Sequence, residues 1–170
     1  MTRYYRHRFR SRRRIRRGQR AGALAIGAVV VLFGAGHVAH HHGASIPAGG
    51  GYTPASWAQA LLAADALPRT SCNLGAVIAW EGAEGGNWAN AAAANPLDTT
   101  EPEPGSWSIN SVGVQAYPSW AAGLRATITT LGNGRYAAIL SALSAGDDAQ
   151  SVADAVAQSP WGTQSFTAEC

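Results

Sequence analysis

Two glutamates, Glu81 and Glu84, lie three residues apart in the segment AWEGAEGGNWANAAAANPLDTT, which runs from Ala79 to Thr100. The aromatic residues Trp80 and Trp88 stand beside them. A carboxyl group held among apolar side chains has a raised pKa, so it can remain protonated near neutral pH and donate a proton. General-acid cleavage of a glycosidic bond needs such a group, and either glutamate is therefore a candidate proton donor.

Gly85 and Gly86 directly follow the second glutamate. Because glycine has no side chain, a long substrate can approach the backbone closely at this point. An exposed aromatic ring such as that of Trp88 suits the face of a sugar ring. We therefore expect Gly85, Gly86 and Trp88 to line a substrate site, with the alternative that the glutamates are ordinary solvated residues near a helix end.

Hydrophobic periodicity predicts a small, mainly helical domain that positions these residues. Helices are expected in the segments 53–68, 71–86, 119–134, 135–147 and 148–162. Their expected N-caps are Thr53, Ser71 or Asn73, Ser119, and Asp147 or Asp148. A short extended segment is expected within SVGVQAY, residues 111–117.

The second predicted helix separates the two glutamates. Leu74, Val77, Ile78 and Glu81 follow an apolar stripe, so this helix is expected to be deeply packed. Glu84 is displaced from Glu81 by about 60° around the axis and lies nearer the helix end, where a cleft can open.

The charge of the chain is unevenly distributed. Residues 1–20 carry ten Arg and no acidic residue, whereas residues 43–170 carry three Arg and ten Asp or Glu, a net charge of −7. Between these parts lies AGALAIGAVVVLFGAGHVA, residues 21–39, which contains no Asp, Glu, Lys or Arg. As a helix it would span roughly 28 Å, close to the hydrocarbon core of a bilayer, which is about 30 Å thick.

This arrangement predicts an Arg-rich cytoplasmic tail (1–20), a transmembrane or signal segment (21–39), a His/Gly-rich linker (40–52) and an exported folded domain (53–170). A cleaved signal peptide is the alternative to a membrane anchor, and SRRRIRR resembles a twin-arginine export signal. The domain is then either held at the cell membrane or secreted. Because basic residues before an apolar span are typical of a topology signal, we expect no nucleic-acid partner.

The chain has two cysteines, Cys72 and Cys170. An isolated pair in an exported domain predicts a disulfide bond, with two unpaired thiols as the alternative. The bond would join the last residue to the start of the second helix. We expect no metal site and no cofactor, because no segment has metal-ligand spacing or a phosphate-binding loop. The His-rich stretch HVAHHH is expected to be a solvated tether.

The order of AVIAWEGAEGGNW, NPLDTT and NSVGVQAYPSWAAGL resembles the lysozyme-like superfamily of peptidoglycan-cleaving domains. The similarity extends from Leu74 to Gly162. The chain is similar to soluble lytic transglycosylases and resuscitation-promoting factors. It most resembles short exported or phage-associated lysozyme-like domains with an EGG, NPL-TT, GVQ-Y pattern. The resemblance implies a lysozyme-like fold and cleavage of the MurNAc-GlcNAc bond by a lytic transglycosylase or muramidase mechanism.

The chain can be aligned with these families in two ways, which assign different glutamates as the acid. Matching AVIAWE to the transglycosylase helix makes Glu81 the acid, whereas matching AEGGNW to the EGG pattern makes it Glu84. We favour Glu84, because the catalytic glutamate of the similar families precedes small residues. By the same analogy, Asn95, Asn110, Gln115 and Tyr117 are candidate substrate-binding residues. The alternative is that they support the fold, which we favour for Asn95.

A second carboxylate would decide the reaction type. Hydrolysis usually needs two carboxyl groups that flank the bond, whereas lytic transglycosylases, as the resemblance implies, use one glutamate. The candidates are Asp98, Glu101 and Glu103. The sequence leaves this choice open.

Two further functions remain alternatives. One is a glycan-binding or scaffold module that keeps the fold without the activity. The other is a membrane-anchored component of a secretion or conjugation apparatus. For the favoured function we expect a monomer whose partners are peptidoglycan glycan strands and, through residues 21–39, the membrane.

Overall fold

The computed structural model describes residues 51–85 and 88–170. The Arg-rich tail, the predicted membrane segment 21–39, the linker up to residue 50, and Gly86 lie outside the described residues. Among the described residues, no helix is long and apolar enough to cross a membrane. The described part of the chain is mainly helical, which confirms the predicted fold class at that level.

Five helices and one two-stranded antiparallel sheet make up the secondary structure of the described residues. In chain order they are α1 (Pro54–Ala64), α2 (Ser71–Gly85), β1 (Trp107–Ser108), β2 (Gln115–Ala116), α3 (Trp120–Leu131), α4 (Ala137–Ala145) and α5 (Ala149–Ala157). In the sheet, Trp107 pairs with Ala116 and Ser108 with Gln115. The segment predicted to be extended thus contributes β2, while β1 was not anticipated.

Side chains cap the helices largely where the sequence predicted. Thr53, Ser119 and Asp148 each accept a hydrogen bond from a backbone N–H in the first turn of α1, α3 and α5. In α2 the hydroxyl of Thr70, rather than Ser71 or Asn73, accepts from the backbone N–H of Asn73 at 3.1 Å. These bonds satisfy donors that have no partner within the helix.

The core lies between all five helices. Its largest fully buried side chains include Trp57, Leu61 and Leu62 of α1, Val77 and Trp80 of α2, Leu124 and Leu131 of α3, Ile139 and Leu143 of α4, and Val152 of α5.

The buried face of α2 differs in part from the predicted stripe. Val77 and Glu81 are buried as expected, but Ile78 is 36% exposed and Leu74 is only half-buried. Helices α1 and α5 pack on α2, and the face buried in the structure runs through Val77 and Trp80. The prediction for Ile78 was wrong because periodicity alone does not specify which of two adjacent faces the neighbouring helices cover.

The C-terminal segment crosses α2 and is covalently attached to it. Cys72 and Cys170 form the predicted disulfide bond, 98 residues apart in sequence. Near this bond the carbonyl of Glu169 lies against Gly75, where a Cβ atom would collide with the carbonyl oxygen. The absence of a side chain at Gly75 therefore permits the close approach of the C-terminal segment.

The segment between α2 and α3 is ordered by a buried amide. The Nδ2 atom of Asn95 donates to the carbonyls of Thr99 at 2.9 Å and Gln115 at 2.7 Å, and its Oδ1 atom accepts from the Thr99 N–H at 3.0 Å. The hydroxyl groups of Thr99 and Thr130 are 2.6 Å apart, which joins this segment to α3. These bonds satisfy backbone groups that lie inside the protein without regular secondary structure.

Gly123 of α3 permits a second close approach. A Cβ atom at this position would collide with the carbonyl oxygen of Ala94 and would lie 3.1 Å from the Tyr117 ring. The substitution Gly123→Ala is therefore expected to lower the free energy of unfolding by about 1–3 kcal/mol, because an added methyl group in a packed site forces its neighbours apart. Urea denaturation followed by circular dichroism measures this change.

The matched control is Thr129→Ala, at an exposed position of the same helix. It is expected to change stability by no more than about 0.5 kcal/mol. Glycine to alanine normally stabilises a helix by about 1 kcal/mol. A stabilised Gly123→Ala variant would therefore show that the contact between α3 and Ala94 is not tight.

Candidate functional site

Glu84 occupies the last turn of α2 and is half-buried. Its Oε1 atom accepts a hydrogen bond from the hydroxyl of Thr163, and that hydroxyl accepts one from the indole Nε1 of Trp80 at 3.2 Å. Burial raises the pKa of Glu84, and the negative charge of Asp98 raises it further, while the hydrogen bond from Thr163 opposes the shift. The carboxyl of Glu84 is thus biased towards its protonated form and remains partly accessible.

Asp98 lies near Glu84 and is also half-buried. Its Oδ1 atom accepts from Nδ2 of Asn90 at 2.8 Å, and burial raises its pKa. The backbone at Asp98 is left-handed, with φ of 49°. Aspartate tolerates this conformation better than most residues, so the turn presents the side chain at little cost.

Glu81 is almost completely buried, with 1% of its surface exposed. Its Oε2 atom accepts from the indole Nε1 of Trp88 at 2.8 Å, while its Oε1 atom has no hydrogen-bond partner among the described residues. Burial raises the pKa of Glu81 to about 8, in spite of the opposing hydrogen bond from Trp88. Glu81 is therefore mostly a neutral acid at pH 7, enclosed in the protein.

Trp88 forms one side of a cavity of about 400 Å³. Its ring lies 4.8 Å from that of Trp120, and Trp120 in turn lies 5.6 Å from Tyr52. The backbone of Trp88 has φ of 65°, an unfavourable conformation for a large residue, and the bond to Glu81 holds its indole. The remaining lining residues are Asn90, Ala92, Ala93, Ala94, Asn95, Pro96, Tyr117, Pro118 and Ser119.

A second, smaller cavity has a volume of about 170 Å³. Asp98 lines this cavity, and its partner Asn90 lines the larger one, so their hydrogen bond joins one lining residue of each cavity. Glu84 itself lines neither of these two cavities. The charge of Asp98 couples the Glu84 carboxyl to the smaller cavity.

The three candidates for a second carboxylate have different surroundings in the structure. Glu103 forms an ion pair with Arg125 at 2.8 Å, and the backbone carbonyl of Glu101 accepts from the Tyr117 hydroxyl at 2.6 Å. Only Asp98 of the three influences the pKa of Glu84. Asp98 is thus the second carboxylate that the structure brings to the site.

The polar atoms of the predicted binding residues mostly bond within the protein. Gln115 accepts from Ser106 and donates to the carbonyl of Gly113, and Asn110 accepts from the Val114 N–H. Burial raises the pKa of the Tyr117 hydroxyl, which bonds to Glu101 as described. Asn95 and Tyr117 do line the larger cavity, whereas Gln115 and Asn110 do not.

Gly85 ends α2, and a Cβ atom there would lie 3.2 Å from the carbonyl oxygen of Pro96. This glycine therefore accommodates the loop that carries Asp98, in addition to any approach by substrate. Gly86, for which the same role was predicted, lies outside the described residues.

Sequence reasoning missed Thr163 and Asn90, although each bonds to one of the paired carboxyls. Thr163 lies 79 residues from Glu84, and no local pattern connects them. Trp161 packs close to these residues: its Nε1 donates to the Leu97 carbonyl at 2.9 Å, and its ring lies 4.7 Å from that of Trp80.

No group of three or more His, Cys, Asp or Glu side chains in residues 51–85 and 88–170 is arranged to hold a metal ion. Comparisons of the chain with protein-family models, curated proteins and solved structures give no match. The candidate site is therefore defined by the sequence motifs and by the environment of the carboxyls of Glu84 and Asp98.

The buried carboxyl of Glu81 should make stability depend on pH. Its pKa is about 8 in the folded protein against an ordinary value of 4.5, so the folded state binds the proton more tightly. Its stabilising contribution is complete below about pH 4.5 and is lost as the pH rises towards about 8. At about 1.4 kcal/mol for each unit of pKa shift, the loss amounts to a few kcal/mol.

Replacing Glu81 by Gln should remove this dependence, because the amide cannot ionise and its oxygen can still accept from Trp88. We expect Glu81→Gln to be more stable than the wild type at pH 8 and similar to it at pH 5, in urea denaturation at each pH. The control Glu169→Gln alters an exposed residue. Parallel pH profiles for the wild type and Glu81→Gln would contradict the assignment.

Proposed function

We propose that the protein cleaves the glycan strands of peptidoglycan at the MurNAc-GlcNAc bond, with Glu84 as the general acid. The observation that carries this proposal is the half-buried carboxyl at the end of α2, whose pKa is raised by burial and by Asp98. An acid of this kind is what protonation of a glycosidic oxygen near neutral pH requires. The cavity lined by Trp88 and Trp120 offers aromatic surface to a sugar ring.

Accessibility favours Glu84 over Glu81 as the acid. A glycosidic oxygen must come within hydrogen-bond distance of the carboxyl that protonates it. Glu81 is 1% exposed and its Oε2 atom is bound to Trp88, so substrate cannot reach it without a rearrangement. We assign Glu81 the separate task of holding Trp88 at the wall of the larger cavity.

The proposed reaction has two steps. The Glu84 carboxyl donates its proton to the glycosidic oxygen as the bond from that oxygen to the muramyl anomeric carbon breaks, and the GlcNAc product leaves with a free 4-hydroxyl group. The Glu84 carboxylate then accepts a proton from the group that attacks the anomeric carbon. This group is either the muramyl 6-hydroxyl, which gives a 1,6-anhydro end, or water, which gives a reducing end.

The proposal includes the lysozyme-like fold and an exported location. The helical domain, with its acid at the end of α2 and its disulfide bond, is compatible with both. An anchor formed by residues 21–39 would hold the domain at the outer face of the membrane, where peptidoglycan is accessible.

Replacing Glu84 by Gln is expected to lower kcat at least about a hundredfold, because an amide cannot donate the proton. The measurement is release of soluble muropeptides from purified cell wall by the full chain with its disulfide formed. Glu81→Gln is the matched control and is expected to retain most of the activity. If Glu81→Gln were inactive and Glu84→Gln active, with both folded, the assignment of the acid would be reversed.

Replacing Asp98 by Asn tests whether Glu84 acts alone. Removal of the negative charge should lower the pKa of Glu84, so the basic limb of the profile of kcat/KM against pH should move to lower pH. If Glu84 acts alone, turnover at the optimum persists and mass spectrometry detects 1,6-anhydro ends.

If Asp98 is the second carboxylate of a hydrolase, Asp98→Asn loses turnover and the wild type produces reducing ends. An unchanged basic limb in an active Asp98→Asn variant would contradict the electrostatic coupling of the two carboxyls. Thr129→Ala, on the exposed face of α3, controls for effects of purification.

A further inference from the structure

The smaller cavity, which Asp98 lines, also has one cationic lining residue, Arg135. Its lining includes Asp98, Thr100, Arg135, Tyr136, Pro160 and Trp161. Its volume of about 170 Å³ is well below the roughly 300–1,000 Å³ of a typical ligand pocket. The cavity is therefore suited to a substituent of a larger ligand rather than to a whole oligosaccharide.

Arg135 stands out among the three arginines of residues 51–170. Arg125 is paired with Glu103, and neither Arg125 nor Arg69 lines the larger cavity or the smaller one. The guanidinium of Arg135 makes no hydrogen bond or ion pair with the described residues, whose only ion pair is that of Arg125. Arg135 lines the smaller cavity and also a separate cavity of about 750 Å³, so its hydrogen-bond donors are available to a ligand at this surface.

Because the domain has a net negative charge, the positive charge of Arg135 matters for the binding of an anionic ligand. Residues 51–170 carry ten acidic residues and three arginines, and one of the acidic residues, Asp98, lines the smaller cavity itself. An anionic ligand would be repelled along most of this surface. Arg135 supplies a complementary charge, and its planar fork matches the geometry of a carboxylate.

We infer that the Arg135 cavity binds a carboxylate carried by the muramyl sugar of the glycan strand. This inference rests on the proposed function, because it requires a strand that passes the carboxyl pair. The carboxylate can come from two chemically equivalent sources. In strands without peptides it is the carboxylate of the lactyl group, and in strands that carry a stem peptide it is a carboxylate of that peptide. Uncharged sugars would rely on the larger cavity alone.

The test compares KM for matched substrates, with the full-length protein and its disulfide intact. The substrates are strands with free lactyl carboxylates, strands with stem peptides, and each of these after conversion of the carboxylates to amides. The variants are Arg135→Ala and Arg135→Gln, which remove the charge, with Arg69→Ala as a control that removes a charge elsewhere. The Arg-rich tail is present in every variant, so its contribution to KM is the same in each comparison.

We expect Arg135→Ala and Arg135→Gln to raise KM about threefold to tenfold for a carboxylate-bearing strand, as loss of a partly exposed charge pair implies. The same variants should leave kcat unchanged and KM for the amidated strands equal to that of the wild type. The source that responds, lactyl or peptide, identifies the carboxylate.

Three results would overturn the inference, and only one of them also overturns the proposed function. If the wild type cleaves the strands and Arg135→Ala has the same KM for every substrate, the carboxylate site is wrong while glycan cleavage stands. If the wild type releases no product from any strand, the proposed function and the carboxylate site are both wrong. An equal effect of Arg69→Ala would reduce the result to general electrostatic attraction and would likewise overturn the site.

Discussion

The C-terminal segment returns across α2, and the environment of the carboxyl end of that helix depends on this crossing. The disulfide bond between Cys72 and Cys170 attaches the segment near the start of the helix. At the other end of α2, Thr163 donates to Glu84 and Trp161 packs on Trp80. Without these residues the Glu84 carboxyl would lose a hydrogen-bond partner and part of the shield that raises its pKa. A covalent constraint at one end of α2 thus supports the chemistry proposed at the other.

The same helix creates two different environments for two glutamates. Glu81 points into the protein and bonds to Trp88, whereas Glu84 remains half-accessible beside Asp98. Desolvation raises both pKa values, but only an accessible acid can meet a substrate. Glu81 has a structural role instead. Its hydrogen bond holds Trp88, whose backbone is in an unfavourable conformation.

The segment between α2 and α3 has little regular secondary structure, and hydrogen bonds replace it. Asn95 satisfies three backbone groups, and the Thr99 and Thr130 hydroxyls join the segment to α3. Gly123 lets the chain approach α3 closely at Ala94. These contacts give Asp98 a defined position at the edge of the smaller cavity. A site on such a loop can be well ordered when its backbone groups are satisfied internally.

Much of the fold could be predicted from local patterns. Thr53 and Ser119 predicted helix starts because their side chains satisfy the first N–H groups. A single pair of cysteines, in a domain expected to be exported, predicted the disulfide bond. The structural role favoured for Asn95 was likewise correct. The exposure of Ile78 could not be predicted, since it depends on which face of α2 the neighbouring helices cover.

The sequence by itself determined the helical elements, the pairing of the cysteines and the segment that holds the candidate acids. Only the tertiary structure decided that Glu81 is enclosed, that Glu84 meets Thr163 and Asp98, and that Arg135 lines a cavity next to them. The physical reason is that helix periodicity and capping act over a few residues. Desolvation, charge coupling and cavity shape arise between residues that are distant along the chain.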